Sequence, residues 1–197
     1  MVDLTEAVAA IDRGGLVVYP TETVYGLGGD ATDIGAIERV FDAKNRPREK
    51  PIALAVESID RAMQYVDVDT TTRAFMHEFL PGPVTVICPK HDVVPDELTG
   101  GENRVGVRIP AHETALELLK QTPPLTATSA NRTGEQPVTA VDDLDQRISG
   151  ICDVVIDGGY TPGGVSTVVD VNAGIIHRRG HLASKVDNWL DEWERRL

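Results

Sequence analysis

Short, strongly apolar segments recur along the sequence and alternate irregularly with helix-like segments. The apolar segments are LVVYP at 16–20, PIALAV at 51–56, VTVIC at 84–88, RVGVRIP at 104–110, PLTAT at 124–128, DVVID at 153–157, VSTVVDV at 165–171 and GIIHR at 174–178. Segments of this length and composition are typical of buried β-strands. Because their spacing is irregular, the sequence predicts an α/β fold of the mixed α+β kind, in which helices pack on a mixed sheet.

The helix-like segments carry apolar residues three and four positions apart. They are the segments around Leu4–Ile11 and Ile34–Phe41, a helix over 58–66 capped by Ser58, the runs at 70–80 and 112–121, and a closing helix capped by Ser184 with Val186, Trp189, Leu190, Trp193 and Leu197 on one side. Pro47 stops the second helix, so the basic segment that follows is predicted to be a loop. In RVGVRIP, the alternation puts Val105, Val107 and Ile109 inward and turns Arg108 to the opposite face.

The length of 197 residues predicts a single domain over 1–197. Cys88 and Cys152 each lie in an apolar run, which indicates reduced, buried thiols and a cytoplasmic protein. We expect no membrane segment, because no apolar run approaches the ~20 residues that a helix needs to span a bilayer.

Four cations stand close together in a chain whose formal net charge is -12. They are Lys44, Arg46, Arg48 and Lys50. The chain has only five lysines, and two of them are in this segment. Phosphate binding is therefore favoured over a merely solvated surface. The net charge itself opposes binding to a nucleic-acid backbone and suggests a strongly hydrated surface of the kind that salt-loving organisms use.

Two further segments combine small and hydroxyl side chains at strand ends. PTETVYGLGG at 20–29 contains Thr21, Thr23 and Tyr25, and TATSANRTG at 126–134 contains Thr126, Thr128, Ser129, Asn131 and Thr133. Each suits the close approach of a small ligand, and each is equally typical of turns that hydrogen-bond their own backbone. GLGGDA at 26–31 matches a dinucleotide fingerprint, but PTETVY separates it from its strand, so a glycine-rich turn is favoured. The two histidines of HRRGH, at 177–181, do not form a zinc motif.

Six segments in order, GGLVVYPTETVYGLGGDA, AKNRPREKPIAL, PGPVTVI, RVGVRIPAH, TATSAN and GGVSTVVD with HRRG, resemble the YrdC-like threonylcarbamoyl-AMP synthases. The likeness extends from about residue 10 to residue 182. It implies a single YrdC-like domain with a strongly twisted, mixed parallel and antiparallel sheet, helices outside, and a concave basic ligand face. It also implies that L-threonine, bicarbonate and ATP react, with Mg²⁺, to give threonylcarbamoyl-AMP and pyrophosphate. The product would pass to a separate tRNA threonylcarbamoyl transferase complex, without stable nucleic-acid binding.

The resemblance also implies site residues. Lys44 and Arg46 would be catalytic, and no residue is assigned to a metal. The ATP-binding residues would be Arg46, Lys50, Arg104, Ser129, Asn131 and Arg178, and the threonine-binding residues would be Thr23, Arg108, the backbone at Ala127, and Ser166.

Three positions depart from the family pattern: Ala55 stands where His is frequent, Thr128 where Pro is frequent and Pro137 where Ser is frequent. These departures bear on individual contacts more than on the reaction. Two alternatives stay open: a non-catalytic RNA-binding or tRNA-binding module, and a carbamoyl-transfer role as in the related domain of hydrogenase-maturation enzymes.

Overall fold

The computed structural model describes residues 2–195. Within that range the helices are α1 (Thr5–Asp12), α2 (Ile34–Lys44), α3 (Ile59–Ala62), α4 (Thr70–Phe79), α5 (Asp96–Thr99), α6 (Glu113–Lys120), α7 (Gln146–Ser149) and α8 (Ala183–Glu194), with a 3-10 turn at Val141–Asp143. The strands are β1 (Val17–Tyr19), β2 (Gly26–Gly28), β3 (Ala53–Ala55), β4 (Val84–Pro89), β5 (Arg104–Arg108), β6 (Leu125–Ser129), β7 (Val154–Val155), β8 (Thr167–Asp170) and β9 (Ile175–Arg178).

All nine of these strands form one sheet, in the order β7-β1-β2-β6-β3-β5-β4-β8-β9. Three neighbouring pairs are parallel, namely β1 with β7, β3 with β5, and β4 with β8, and the other pairs are antiparallel. The predicted mixed sheet with helices is therefore confirmed. Strand β6 lies inside the sheet between β2 and β3, so the loop that follows Ser129 leaves from an interior strand and not from an edge.

Helices cover both faces of the sheet, and the strand period of two decides which side chains meet which helices. On one face Leu16 and Val18 join a large core with residues of α2, α4 and α8, such as Phe75 of α4. On the other face Val17 and Tyr19 join a smaller core with α1 and α6. The smaller core covers only part of its face, and the remaining part is open to ligands.

Strand β2 corrects the prediction of a glycine-rich turn at GLGGDA. Gly26 and Gly28 pair with Tyr19 and Val17 in an antiparallel ladder. The ring of Tyr19 lies against both glycines, since a Cβ atom would come within 3.0 Å of the ring at Gly26 and 2.9 Å at Gly28. Glycine is thus needed here so that an aromatic ring can pack on the strand, and not for a phosphate-binding turn.

The boundaries of three helices differ from the predictions. Helix α2 ends at Lys44 and is capped by Asn45, whose left-handed backbone (φ 48°) is common at a C-terminal cap. The prediction that Lys44 lies in a loop is therefore wrong. Ser58 does cap α3, because its side chain accepts a hydrogen bond from the Arg61 amide, but the helix ends at Ala62 and not near residue 66.

The predicted cap at Ser184 is also wrong. Helix α8 begins at Ala183, so Ser184 is already helical and the residue at the N-cap is Leu182. Leu197, predicted on the apolar side of this helix, lies outside the described residues. Both cysteines are free. Cys88 is buried as predicted, whereas Cys152 is only partly buried, and burial raises the pKa of each thiol to about 12. In the part of the chain that the structure describes, no helix has the length and apolarity that crossing a membrane requires.

Candidate active site

A cavity of about 370 Å³ opens on the sheet face opposite the larger core. Strand alternation creates it: Val84 and Val86 of β4 lie in the core, whereas Thr85 and Ile87 line the cavity. In the same way, Val105 and Val107 of β5 and the following Ile109 are buried in the core, and Arg108 lines the cavity. The predicted orientation of Arg108 is confirmed, and the volume is in the range of small-molecule sites.

The structure brings nine of the predicted site residues to this cavity. They are Thr23, Lys44, Arg46, Arg108, Ala127, Ser129, Asn131, Ser166 and Arg178. Lys50 and Arg104 do not line it: Lys50 is exposed, and the Arg104 guanidinium forms an ion pair with buried Asp170. The three departures from the family pattern, Ala55, Thr128 and Pro137, all line the cavity.

Among the described residues that line the cavity, every acidic or strongly basic side chain is basic. Lys44, Arg46, Arg108 and Arg178 contribute four cations, and none of the described residues that line the cavity is Asp or Glu. Partial burial, with the charges of Arg108 and Arg46, lowers the pKa of Arg178. Arg46 and Arg178 form no ion pair within the described residues, and guanidinium groups that face a cavity without a carboxylate partner favour an anionic ligand.

Lys44 connects α2 to the loop that follows β6. Its ammonium is nearly fully buried and donates to the carbonyl oxygens of Ser129 at 2.5 Å and Asn131 at 2.6 Å. Burial, with the nearby charge of Arg46, lowers the pKa of Lys44 to about 7. The side-chain amide nitrogen of Asn131, Nδ2, donates to the carbonyl oxygens of Arg132 and Glu135, each at 2.8 Å. The conformation of the loop is therefore fixed by the Lys44 side chain and by the side-chain amide of Asn131.

Arg46 is fixed by the backbone of the segment it belongs to. Its Nε donates to the Lys50 carbonyl at 3.0 Å and its Nη2 donates to the Pro51 carbonyl at 2.8 Å. Burial lowers the pKa of Arg46. Lys50 therefore contributes a carbonyl oxygen that orients Arg46, while its own ammonium is exposed. Arg48 also lies outside the cavity and pairs with exposed Asp42 at 2.5 Å.

Thr23 and Arg108 are in direct contact at another part of the cavity. Arg108 Nη2 donates to Thr23 Oγ1 at 2.8 Å and to Glu22 Oε1 at 3.1 Å. Glu22 is not among the residues predicted from the sequence. Its signal was a carboxylate placed between two threonines directly after a buried strand, a position where a charged side chain needs a partner.

Ser166 forms hydrogen bonds with two residues of the cavity, Arg178 and Thr85. Arg178 donates from Nε to the Ser166 carbonyl at 2.9 Å and from Nη2 to Ser166 Oγ at 2.7 Å. The Ser166 hydroxyl also shares a hydrogen bond of 3.0 Å with that of Thr85 on the neighbouring strand β4. Ser166, predicted to bind threonine, thus directly orients Arg178, predicted to bind ATP.

The segment that follows HRRG contacts the edge of the cavity. His181 Nε2 lies 2.8 Å from the carbonyl oxygen of Gly163, beside Gly164, which lines the cavity. Within residues 2–195, no three His, Cys, Asp or Glu side chains group closely enough to hold a metal ion.

Comparisons with known proteins agree with this geometry. The family Sua5_yciO_yrdC, described as "Telomere recombination", matches residues 9–180. The chain is 40% identical over 168 residues to threonylcarbamoyl-AMP synthase of Pyrococcus abyssi, with 84% of this chain and 49% of that protein covered. It is 39% identical over 160 residues to threonylcarbamoyl-AMP synthase of Xanthomonas axonopodis pv. citri, with 79% and 86% covered.

A solved structure is similar over most of the chain. The crystal structure of P. abyssi Sua5 complexed with L-threonine has a TM-score of 0.85 at 38% identity, with 88% of this chain and 53% of that chain covered. The chain therefore spans about half the length of the Pyrococcus protein. Since the family matches across nearly the whole sequence and its motifs meet at one cavity, this chain belongs to the Sua5/YciO/YrdC family.

Proposed function

We propose that this chain is an L-threonylcarbamoyladenylate synthase, an enzyme of the nucleotidyltransferase class. It would convert L-threonine, bicarbonate and ATP into threonylcarbamoyl-AMP, pyrophosphate and water. The observation that carries the proposal is the cavity lined by four cations and, among its described residues, by no carboxylate. All three substrates are anions or carry a carboxylate, and such a lining lets them approach one another. The names of the Pyrococcus and Xanthomonas relatives support the same reaction.

The threonine subsite would consist of Thr23, Arg108, Ala127 and Ser166. A guanidinium is suited to a carboxylate because it can form two parallel hydrogen bonds, and Arg108 is the cation that lies beside Thr23. The complex of P. abyssi Sua5 with L-threonine supports a threonine site in a protein of this fold.

The nucleotide subsite would consist of Lys44, Arg46, Ser129, Asn131 and Arg178. Arg46 and Arg178 are each fixed through Nε and Nη2 by carbonyl or hydroxyl oxygens of the protein. Their orientation therefore costs little when phosphate binds. Lys50 and Arg104 stay predictions that require the nucleotide to extend beyond the cavity edge.

The chemistry follows from charge and position. The threonine amine would attack the bicarbonate carbon, and water would leave to give a carbamate. A carbamate oxygen would then attack the α-phosphorus, and pyrophosphate would depart with the bonding electrons. Lys44, Arg46 and Arg178 would stabilise the negative charge that develops on the phosphates, so positioning and electrostatics would supply most of the rate.

Magnesium is proposed to enter with ATP as part of the substrate. Mg²⁺ keeps several waters and needs few protein ligands when phosphate oxygens are present. The donor set of the cavity fits this role only, because the described lining offers hydroxyl and amide oxygens and no carboxylate. We therefore assign no protein ligand and no reaction step to the metal.

The product would pass to a separate tRNA threonylcarbamoyl transferase complex. A net charge of -12 opposes stable binding of tRNA, and the four cations of the cavity face inward and do not form an open basic surface. A non-catalytic RNA-binding role is therefore not favoured.

The test is pyrophosphate release from the purified protein, with each substrate omitted in turn. We expect release only when ATP, L-threonine and bicarbonate are all present. Release that is equal without threonine would refute the proposal. Carbamoyl phosphate in place of bicarbonate should not support the reaction, and if it did, the carbamoyl-transfer alternative would be favoured.

A further inference from the structure

Glu22 lies behind the cavity wall and does not line the cavity. Its side chain is only 14% exposed, and its one ion-pair partner among the described residues is Arg108, itself 15% exposed. Oε2 of Glu22 and Nε of Arg108 are buried and have no hydrogen-bond partner in the described part of the chain. Apolar residues of similar size often stabilise a fold as well as such a buried pair does. The pair is therefore better explained by its effect on the orientation of Arg108 than by a contribution to the stability of the fold.

The two contacts of Arg108 Nη2 use both of its hydrogens. One goes to Glu22 Oε1 at 3.1 Å and the other to Thr23 Oγ1 at 2.8 Å. With Nη2 committed and Nε buried, the plane of the guanidinium is fixed. Nη1 forms no hydrogen bond to any residue between 2 and 195, which leaves its two hydrogens for a ligand.

A separate hydrogen bond of Thr21 decides what Thr23 can offer to a ligand. The Thr21 hydroxyl has one hydrogen, and it donates this to the Val24 carbonyl at 2.7 Å. In the 3.0 Å contact between the two threonine hydroxyls, Thr23 must therefore be the donor. Thr23 gives its hydrogen to Thr21 and accepts one from Arg108, so it can offer a ligand only an acceptor.

We propose that Glu22 is a positioning residue for substrate recognition, because its carboxylate holds the Arg108 guanidinium in the orientation that leaves Nη1 for a ligand beside the acceptor oxygen of Thr23. The ligand that fits has a carboxylate for Arg108 and an N–H or O–H donor for Thr23, a pattern that an amino acid such as threonine provides. This inference rests on the proposed function, since it assigns the threonine subsite.

The experiment measures binding of L-threonine and of ATP by calorimetry to the wild type, Glu22→Gln, Glu22→Asp and Glu117→Gln. Glu22→Gln keeps the shape and removes the charge. Glu117→Gln is a matched control, because Glu117 forms an exposed ion pair with Lys120 away from the cavity. We expect Glu22→Gln to weaken threonine binding about tenfold or more without a change for ATP. Glu22→Asp should lie between it and the wild type, and Glu117→Gln should match the wild type.

The other outcomes would contradict either this inference or the proposed function. Threonine binding that is unchanged in Glu22→Gln would overturn the inference and leave the proposed function intact. Equal losses for threonine and ATP would also overturn it, because a role exercised through Arg108 predicts a selective loss. A wild-type protein that binds ATP and not threonine would refute the proposed function and this inference with it.

Discussion

The imidazole of His181 lies directly over Gly164, so that a methyl group on Gly164 would come within 1.9 Å of Nε2. Gly164 has a left-handed backbone (φ 84°) and lines the cavity. Its neighbour Gly163 donates its amide hydrogen to the Thr23 carbonyl at 2.7 Å. The ring therefore holds a glycine-rich segment against the part of the cavity that contains Thr23.

Gly164→Ala should destabilise the protein by about 1–3 kcal/mol more than Gly134→Ala does. Gly134 has a similar backbone (φ 88°) with nothing within 4 Å of a Cβ atom, so both variants share the backbone strain and only one meets a ring. Denaturant unfolding of both variants, and of each combined with His181→Ala, measures the difference. If His181→Ala does not restore the Gly164→Ala variant, the contact with the ring is not the cause.

Arg46→Ala should raise the Michaelis constant for ATP by about 10- to 100-fold, since charge-assisted hydrogen bonds to phosphate would be lost. Arg48→Ala is the control, because Arg48 comes from the same segment but pairs with Asp42 outside the cavity. Steady-state pyrophosphate release compares the two variants. Equal effects would mean that the segment acts through its overall charge and not through Arg46.

Arg108→Ala should raise the Michaelis constant for L-threonine more than that for ATP, because Arg108 lies beside Thr23. Arg104→Ala tests the prediction that Arg104, at the other end of β5, binds ATP. We expect it to have a small effect on both constants, since the Arg104 guanidinium pairs with Asp170 outside the cavity. A large effect on ATP would show that the nucleotide reaches beyond the cavity edge.

ATP binding should take up protons at about pH 8. Burial lowers the pKa of Lys44 to about 7, so its amine is largely neutral at that pH in the free protein. A bound phosphate favours the charged form and raises this pKa, so binding adds a proton and weakens as pH rises above 7. Calorimetry in buffers of different ionisation enthalpy measures the uptake, which should disappear in Lys44→Met. Uptake that persists in this variant would come from another group.

The fold should be more stable in molar salt than at low ionic strength. With 31 acidic and 19 basic residues, repulsion among carboxylates opposes the compact state, and salt screens it. Melting temperatures from about 0.1 M to about 3 M KCl should rise. Any weak binding of tRNA should be lost over the same range, whereas a nucleotide enclosed in the cavity is less exposed to screening.

Features that depend on local periodicity could be predicted, and Arg108 is the clearest example. Its direction follows from the alternation of Val105 and Val107 on either side of Gly106. The role of Lys44 could not be predicted in this way. Its acceptors, the carbonyls of Ser129 and Asn131, are more than eighty residues away, and only the fold brings them together.

Strand β2 shows a second reason why sequence analysis fell short. Glycine has a low intrinsic preference for strands, so Gly26 and Gly28 gave no strand signal. The strand pairs with β1 and β6, and its two glycines leave the space in which the Tyr19 ring packs, which is a tertiary property. Glu22 was missed for a related reason, because a carboxylate near a cationic site is informative only once its partner is known.

Strands β8 and β9 lie at one end of the strand order, and the cavity is complete only when they have joined the sheet. Arg178 belongs to β9, and Ser166 directly precedes β8, so both reach the cavity only when the last part of the sheet pairs with β4. This pairing joins segments far apart in sequence, as the pairings of β1 with β7 and of β2 with β6 also do, and it is slow because it must overcome loop-closure entropy. An intermediate that lacks these two strands would hold three of the four cations and bind nucleotide weakly. Nucleotide binding should therefore be acquired late in refolding, after most of the secondary structure has formed.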